Sequence, residues 1–388
     1  MGRQPIKRVW DYFQLETGLA VPVERFRESQ KRKNALEQQT EDIAKVLEAG
    51  GIECRAGKVT MLGGVTGETK EISQWRQLSI LPTVARQKKA PLLRDLTYFL
   101  ERKTSRFARY MVITNGQRIP ASELKQAVKD MNRRISKWAY EVKQLYKMDV
   151  VFRGLEFPID ENGLIHLHAN VVYMPKTKLS DFEFKQFLQV THSVMDAHLQ
   201  DNGRLKNAHE VVKYALKNTE LLNAKPELVC ELALAVMGAS LFAPMGSFRK
   251  FRQRLAKRHL RTLWYDGRII IGKGRQQSEE QKRLIKESKE KGGAAKSNRL
   301  VSILQPIPYF TPFKEPVIII QGDVQTVLET DESLRQTISE FRWWARDNGM
   351  PLASRYSVHN RSSSVPSLFR DLPDKPPPMK ERIFKKAV

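Results

Sequence analysis

Cysteine is scarce in this chain of 388 residues, which contains only Cys54 and Cys230. A disulfide framework and a zinc site of the CxxC type are therefore excluded, and we expect a reducing, cytoplasmic compartment. The first residues lack the apolar core of a signal peptide. The longest uncharged stretch, residues 232–248, is interrupted by glycine and proline and is short for a membrane span. It predicts a buried helix with its exit loop, and no membrane partner is expected.

Acidic side chains are also outnumbered. Lys and Arg total 67 against 43 Asp and Glu, which gives a formal charge of +24 and a pI near 10.0. Such an excess favours a partner that carries many phosphates, so nucleic acid is the first partner to consider. With 41% hydrophobic residues the chain can still bury a core and divide into modules.

Composition predicts five consecutive segments. Residues 274–298 are rich in Gly, Lys, Glu and Gln, which indicates a solvated helix or linker. Residues 356–388 contain serine and proline runs typical of a disordered tail. The other three are a mostly helical N-terminal region of unknown role with one short strand at 59–62 (residues 1–104), a strand-and-helix domain (105–273), and a small α+β module with strands near 300–304 and 317–321 and a helix over 332–348 (299–355).

The second segment carries the clearest periodicity. A buried strand is predicted at 110–114, strands at 150–157 and 164–173, and helices over 180–199 and 207–222. Between the first two strands, apolar residues recur at spacings of four and three, typical of a long amphipathic helix: Leu124, Val128, Met131, Ile135, Trp138, Val142 and Leu145. The order predicts an α+β fold, with a central antiparallel sheet and helices packed on it.

A candidate metal site lies on the third strand of this segment. Because side chains alternate along a strand, His166 and His168 project from the same side. A three-residue loop with Gly163 in the left-handed conformation pairs Glu156 with His168. Two imidazoles and a carboxylate would accept Mg²⁺, Mn²⁺ or, in vitro, Zn²⁺, and leave positions for a phosphate oxygen. The alternative is a pair of ordinary structural histidines.

A candidate nucleophile lies on the predicted helix 207–222. Glu210, Tyr214 and Lys217 share one face of it, and Lys213 is adjacent. The phenol has a pKa of about 10 in water, and nearby cations favour the phenolate as it forms. Tyr214 is therefore a candidate for attack on phosphorus, with the alternative that it is a packed aromatic side chain.

In combination and order, three segments resemble the motifs of HUH endonucleases, and most closely those of the rolling-circle replication initiators of small bacterial plasmids. The resemblance covers about residues 105–265 and is carried by residues 110–115 (YMVITN), 154–156 (GLE) with 165–172 (IHLHANVV), and 210–217 (EVVKYALK). Two features depart from the family pattern. There is one clear active tyrosine rather than a Tyr-x-x-x-Tyr pair, and Ile165 stands where relatives often carry proline or a polar residue.

The resemblance implies an HUH endonuclease domain over 105–273 and an origin-specific single-strand nuclease and ligase. A divalent metal, Mg²⁺ or Mn²⁺, would be held by His166, His168 and Glu156. Attack by Tyr214 would leave a 5′-phosphotyrosyl link and a 3′-OH primer, which implies a host helicase and polymerase as partners. The rival readings are a mobilisation relaxase, a single-strand transposase, a non-catalytic DNA-binding regulator and a zinc hydrolase.

Glu210 has two readings. It lies one helical turn before Tyr214 and could act as a general base that activates water for the second cut ending a replication round, as the resemblance suggests. Asn207 at the helix start with Glu210 three residues later also resembles a capping box.

A basic segment follows the nucleophile motif. Residues 249–261 contain no acid and interleave Phe248, Phe251 and Leu255 with cations, which suits a helix lying on phosphates, although a solvated basic face is the alternative. Together with Lys213 and Lys217 the predicted DNA-binding residues are Arg249, Lys250, Arg252, Arg254, Lys257, Arg258 and Arg261.

Overall fold

The computed structural model describes residues 21–101, 107–177, 179–205, 208, 211, 218–265, 268–273, 279–291 and 298–350. The chain forms two compact units, each assembled from separate segments. The terminal unit comprises residues 1–34, 55–75 and 275–388, and the central unit comprises residues 35–54 and 76–274. This division differs from the five consecutive segments expected, because strands far apart in sequence share one sheet.

The helices are α1 (Val23–Ala49), α2 (Pro82–Leu100), α3 (Ala121–Tyr146), α4 (Asp181–Met195), α5 (Asn218–Asn223), α6 (Pro226–Val236), α7 (Gly246–Lys257), α8 (Glu279–Lys291), α9 (Val324–Thr330) and α10 (Glu332–Asp347). The strands are β1 (Arg55–Gly63), β2 (Thr69–Trp75), β3 (Arg109–Thr114), β4 (Asp149–Glu156), β5 (His168–Met174), β6 (His198–Arg204), β7 (Phe242–Pro244), β8 (Leu260–Tyr265), β9 (Arg268–Lys273), β10 (Arg299–Ile307) and β11 (Glu315–Gln321). Within these described residues, no helix is long and apolar enough to cross a bilayer.

The central unit is built on a five-stranded antiparallel sheet in the order β6-β3-β5-β4-β7. The predicted α+β class with antiparallel strands is confirmed. β5 lies in the middle, and its residues after His168 are buried. A strand flanked on both sides has all its backbone groups in the ladder, which makes β5 a rigid support for side chains at its end.

One face of this sheet is packed by α3 and α4. The predicted apolar stripe of α3 is buried from Leu124 to Val142, and the Trp138 indole donates to Thr191 Oγ1 at 2.9 Å. Leu145, assigned to the same stripe, is instead 64% exposed. It belongs to the last turn, after which Lys147 adopts a left-handed conformation (φ 51°) and turns the chain into β4.

The other face is covered in part by α2 and α7. Leu96 and Phe99 of α2 and Phe248 of α7 form one core cluster with Phe152 and Val172 of the sheet. Since side chains alternate along β5, Val172 lies on the same face as His168. α7 and the C-terminal half of α2 therefore cover the end of this face remote from the histidines.

Three predictions within this domain need correction. The helix over 180–199 begins as expected at Ser180, whose side chain and Glu183 form a capping box, but it ends at Met195 where Asp196 is left-handed (φ 44°). Residues 198–204 form edge strand β6, whose alternating exposure fits its polar sequence. The exit loop after α6 contains β7, which is too short to be read from periodicity.

The terminal unit holds a four-stranded antiparallel sheet in the order β10-β11-β1-β2. The predicted strands near 59–62, 300–304 and 317–321 and the helix from Glu332 are confirmed. The separation into an N-terminal region and a C-terminal module is wrong, because Leu62 of β1 pairs with Ile318 of β11. The tail beyond residue 350 and the boundary near residue 104 lie outside the described residues.

The expected linker also differs from the prediction. Within residues 274–298, α8 packs on the sheet of the terminal unit, because Leu284 is buried in the same core cluster as Leu62 and Ile318. The Ser288 hydroxyl accepts a hydrogen bond from the backbone N–H of Leu300 at 2.8 Å. Leu284, Ser288 and the partly buried Ile285 thus dock a helix whose composition is otherwise that of a solvated segment.

A buried carboxylate fastens the turn between β1 and β2. Glu315 is fully buried and accepts hydrogen bonds from the backbone N–H of Val65 (3.1 Å) and Thr66 (3.0 Å) and from the Thr66 hydroxyl (3.1 Å). Burial raises the pKa of Glu315 to about 7, although these hydrogen bonds oppose the rise. Its partners satisfy the carboxylate without a cation among the described residues.

Candidate active site

The hairpin between β4 and β5 has the register expected from its loop. Asp160 N–H donates to Leu164 O at 2.9 Å, Gly163 N–H donates to Asp160 O at 3.0 Å, and Gly163 has φ +78°. Glu156 pairs with His168, as predicted. The length and conformation of the loop fix which residues of the two strands pair. Because side chains alternate with a period of two, this register also fixes which side chains share a face.

Ile165, the residue that departs from the family pattern, has a structural role in this hairpin. It is fully buried and forms antiparallel bridges with Ile119 and Ile159. Its N–H donates to Ile119 O at 2.8 Å, and Ile119 N–H donates to Ile165 O at 2.9 Å. The backbone just before His166 is therefore held by a third segment, the one leading into α3.

The two histidines are adjacent, with ring centroids 4.3 Å apart. β5 begins at His168, so His166 lies just before the strand rather than within it, which corrects the predicted strand start at 164. Thr114, which pairs with His168 across β3, places Oγ1 at 2.8 Å from His168 Nδ1. This bond orients the ring and directs Nε2 away from Thr114, as a hydrogen bond to the other ring nitrogen does in metal-binding histidines.

Glu156 lies on the opposite side of His168 from Thr114, at the end of β4. Lys89, from α2, interacts electrostatically with it. Burial lowers the pKa of Lys89 to about 8, and the negative charge of Glu156 opposes that effect. Among the described residues no three His, Cys, Asp or Glu side chains converge closely enough to hold a metal ion. The structure thus brings His166 and His168 together and places Glu156 beside His168 in register, next to a cation.

The donor set nevertheless suits a divalent ion. Two imidazole nitrogens and one carboxylate oxygen fit the chemistry of Mn²⁺, and of Mg²⁺ with retained waters. The Thr114 bond to His168 supplies the outer support such a site requires.

Beside this cluster the sheet face carries a buried amide. Asn170, two residues along β5 from His168, is 1% exposed, and neither of its amide atoms has a hydrogen-bond partner within the described part of the chain. It pairs with Gly154 on β4. A Cβ at Gly154 would lie 3.3 Å from the carbonyl oxygen of Val211, so the absence of a side chain lets this backbone approach the face closely.

The candidate nucleophile and its neighbours lie outside the described residues: Glu210, Lys213, Tyr214 and Lys217. Val211, three residues before Tyr214, is described and fully buried, in the core cluster with Phe152 and Val172. Val211 thus packs on the sheet face that carries His168.

The predicted basic helix is confirmed over residues 246–257, as α7, with Phe248, Phe251 and Leu255 buried. Its start is fixed by Asp149 of β4, whose carboxylate accepts from Ser247 N–H at 3.0 Å. Most predicted cations are exposed, and Arg252 is half-buried. The chain reverses at His259 (φ 53°), so Arg258 lies at the C-cap of the helix and Arg261 lies on β8. The exposed cations are Arg249, Lys250, Arg254, Lys257 and Arg258.

An acid on α2 organises the cations of this region. Asp95 accepts from Arg252 Nε at 2.7 Å and from the Thr262 hydroxyl at 2.6 Å. Arg94 Nε donates to the Thr262 hydroxyl at 3.0 Å. Arg252 is therefore held in place, and a group so fixed loses little side-chain entropy on binding a phosphate.

These groups border an arginine groove of about 510 Å³. Asp95 is the one acid among the described residues that line it, and the cations are Arg94, Arg249, Arg252 and Arg261. A further cation lies close by on β4: Arg153 is buried, and burial with the charge of Arg249 lowers its pKa to about 10. The groove has the charge expected of a phosphodiester-binding surface.

Sequence reasoning missed the contribution of α2. Lys89, Arg94 and Asp95 lie in the N-terminal region, where no chemistry was expected. Only the packing of α2 on the sheet face brings them to the site. Their sole sequence signal is a cluster of charges on a helix that also carries the apolar residues Leu92, Leu96 and Phe99.

Comparison with known proteins adds no relative. No family model matches the chain, and neither a curated protein nor a solved structure matches it.

Proposed function

We propose that this chain is an HUH-type replication initiator that nicks one strand of a plasmid origin and becomes joined to the 5′ end through Tyr214. The observation that carries the proposal is the strand register around His168. Thr114 and Glu156 flank it on neighbouring strands, and the His166 ring lies 4.3 Å away. This arrangement, in the middle of an antiparallel sheet, is what the resemblance of the motifs leads one to expect.

His166, His168 and Glu156 would hold a divalent ion, which when bound polarises a phosphoryl oxygen of the scissile phosphate. Two further side chains of the protein contribute to the proposed site. Thr114 orients His168, and Lys89 adds a positive charge beside Glu156. A cation at this place favours an approaching phosphodiester by the same Coulomb attraction that links it to the carboxylate.

The tyrosine step balances as an in-line exchange at phosphorus. Tyr214 Oη loses its proton and forms a bond to phosphorus, while the bond to the 3′ oxygen breaks and that oxygen leaves as a hydroxyl after taking up a proton. Val211, which precedes Tyr214 by three residues in the sequence, is buried on the sheet face that carries His168, and this supports the choice of Tyr214. The energy of the phosphodiester is kept in the phosphotyrosyl bond, which permits rejoining.

The arginine groove supports DNA as the substrate. Its cations form part of a surface suited to contacting backbone phosphates without reading sequence.

The experiment is a covalent-adduct assay with Tyr214→Phe. The substrate is a supercoiled plasmid that carries the DNA flanking the gene, with Mn²⁺ supplied. The wild-type chain should nick it and migrate with the DNA after denaturation. Tyr214→Phe should form no adduct while it retains DNA binding, because only the attacking oxygen is removed.

Tyr140→Phe is the matched control, since Tyr140 is an exposed tyrosine on α3. It should form the adduct at the wild-type yield. A normal adduct yield from Tyr214→Phe would move the nucleophile to another residue, and a wild-type chain that leaves the plasmid closed would favour a DNA-binding regulator.

A further inference from the structure

A cavity of about 270 Å³ lies beside the candidate active site, within the central unit. Its walls come from α2, from the segment between α6 and β7, and from Phe157. Phe157 directly follows Glu156, so the cavity borders the strand end that carries a proposed metal ligand. It is smaller than the pockets of ~300–1,000 Å³ that hold drug-sized molecules, and it suits a single ring system.

The walls of this cavity combine apolar and polar groups. Leu92 and Phe242 supply apolar and aromatic surface, the fully buried Phe157 lies behind that surface, and Ser79 and Ser240 bring hydroxyls. An occupant with a flat apolar face and hydrogen-bonding edges would satisfy both kinds of wall. This is the chemistry of a nucleobase.

Two cations border the cavity, Lys88 and Arg252, and no acid is among its described lining residues. Lys88 Nζ donates to Gln77 O at 2.8 Å and to Ser79 Oγ at 3.0 Å, which fixes the ammonium at the wall. Arg252 is fixed by Asp95. The occupant that complements these charges carries a negative group next to its ring.

The cavity and the arginine groove share two lining residues, Pro244 and Arg252. A strand whose phosphates follow the groove would therefore pass Arg252, which also lines the cavity. Continuity between a cationic groove and an apolar cavity is the arrangement by which proteins hold single strands, with phosphates on cations and bases on aromatic surface.

We propose that this cavity binds one unpaired base of the DNA strand next to the scissile phosphate, and that Arg252 holds the phosphate of that nucleotide. DNA as the occupant rests on the proposed function. The cavity holds the strand against the strand ends that bear Glu156 and His168, and excludes duplex DNA, whose bases are not available for insertion.

The test fills the cavity from two sides. Ala85→Leu on α2 and Ala239→Leu on the facing segment each place a larger apolar side chain at a residue that lines it. Ala127→Leu on α3 is the matched control, a partly exposed alanine elsewhere on the central unit. The probes are short homopolymers of dT, dA and dC, and an abasic strand of equal length and charge. Binding of the full chain is measured in EDTA by fluorescence anisotropy.

The wild-type chain and Ala127→Leu should bind at least one homopolymer about tenfold more tightly than the abasic strand, the size of one base–aromatic contact. The two filling variants should lose this preference and keep the affinity for the abasic strand. Arg252→Ala should weaken binding of all four probes, because it removes a phosphate contact.

Several outcomes would overturn the inference: no preference in the wild-type chain, an undiminished preference in both filling variants, or an equal loss for the abasic strand. The assay contains no metal and scores no cleavage, so its result is independent of the nicking assay. A cavity-dependent preference in a chain that never forms an adduct would refute the proposed function alone. A normal adduct with an unaltered preference would refute the cavity alone.

Discussion

Two buried polar groups, one in each unit, differ in how the protein treats them. Glu315 in the terminal unit is fully buried and accepts hydrogen bonds from Val65 and Thr66. Asn170 in the central unit is 1% exposed and has no hydrogen-bond partner among the described residues. A satisfied polar group fastens a fold, whereas an unsatisfied one costs stability and points to a partner met in function. By this criterion we assign Glu315 to the stability of the fold and Asn170 to the candidate active site.

The largest expected effect concerns the candidate active site, in the unit that contains Asn170. Replacing both His166 and His168 with alanine should lower metal-dependent nicking by at least about a hundredfold, since the scissile phosphate loses its Lewis acid. The measurement is the initial rate of plasmid nicking in Mn²⁺. His192→Ala, at an exposed histidine of α4, should leave the rate unchanged. Nicking that persists in EDTA would show that no metal takes part.

The contribution of Glu315 to stability should depend on pH. The folded pKa of Glu315 is raised from 4.5 to about 7, so its contribution to stability is full below pH 4.5 and is lost as the pH rises through 7. The loss amounts to about 3 kcal/mol. Hydrogen exchange of the Val65 and Thr66 amides should therefore quicken between pH 5 and 8 beyond the intrinsic base-catalysed rise.

Glu315→Gln keeps the shape and cannot ionise, so it should remove this extra pH dependence. Glu71→Gln, at an exposed carboxylate of β2 that pairs with Lys58, should keep it. Equal pH profiles for the wild-type chain and Glu315→Gln would show that the carboxylate does not titrate in this range.

Asn170→Leu should move stability and activity in opposite directions. Removing an unsatisfied buried amide should raise the free energy of unfolding of the central unit by about 1–2 kcal/mol, and nicking should fall. Thr191→Val is the comparison, because Thr191 accepts from Trp138 and donates to Phe187 O. It should destabilise the unit. Urea unfolding followed by far-UV circular dichroism measures the free energy of unfolding of both variants. If Asn170→Leu lowered that free energy, the amide would stabilise the fold, as Glu315 does.

The smallest expected effect concerns Glu210. If it is a helix cap, Glu210→Ala should cost about 1 kcal/mol of stability and reduce both cuts alike. If it activates water, the first nick and the adduct should stay intact while the terminating cut is impaired. We expect the second result. Separate oligonucleotide substrates for the initiating and terminating cuts measure the two rates, and a parallel fall in proportion to folded protein leaves only the cap.

The elements that local chemistry determines were predictable from the sequence. The loop with Gly163 sets the Glu156–His168 pair, Ser180 and Glu183 form the expected capping box, and the stripe of α3 is buried up to Val142. Periodicity and turn residues act over a few positions, which is why they can be read from sequence.

The remaining features depend on contacts between distant segments. The pairing of β1 with β11 follows from no local pattern, and β6 is an edge strand whose polar residues conceal its period. The site residues Lys89, Arg94 and Asp95 come to the sheet face only through the packing of α2. Half of the candidate site was therefore readable as motifs, and the other half was supplied by a helix that carries none.

The pairing of β1 with β11 also sets an order of assembly during synthesis. Residues 55–75 leave the ribosome well before residues 299–321, so the β1–β2 hairpin waits with one edge open until its partner strand has been made. The central unit, complete at residue 274, can fold in the meantime. An open edge is a template for pairing with other chains, so a product that stops before β11 should aggregate through β1.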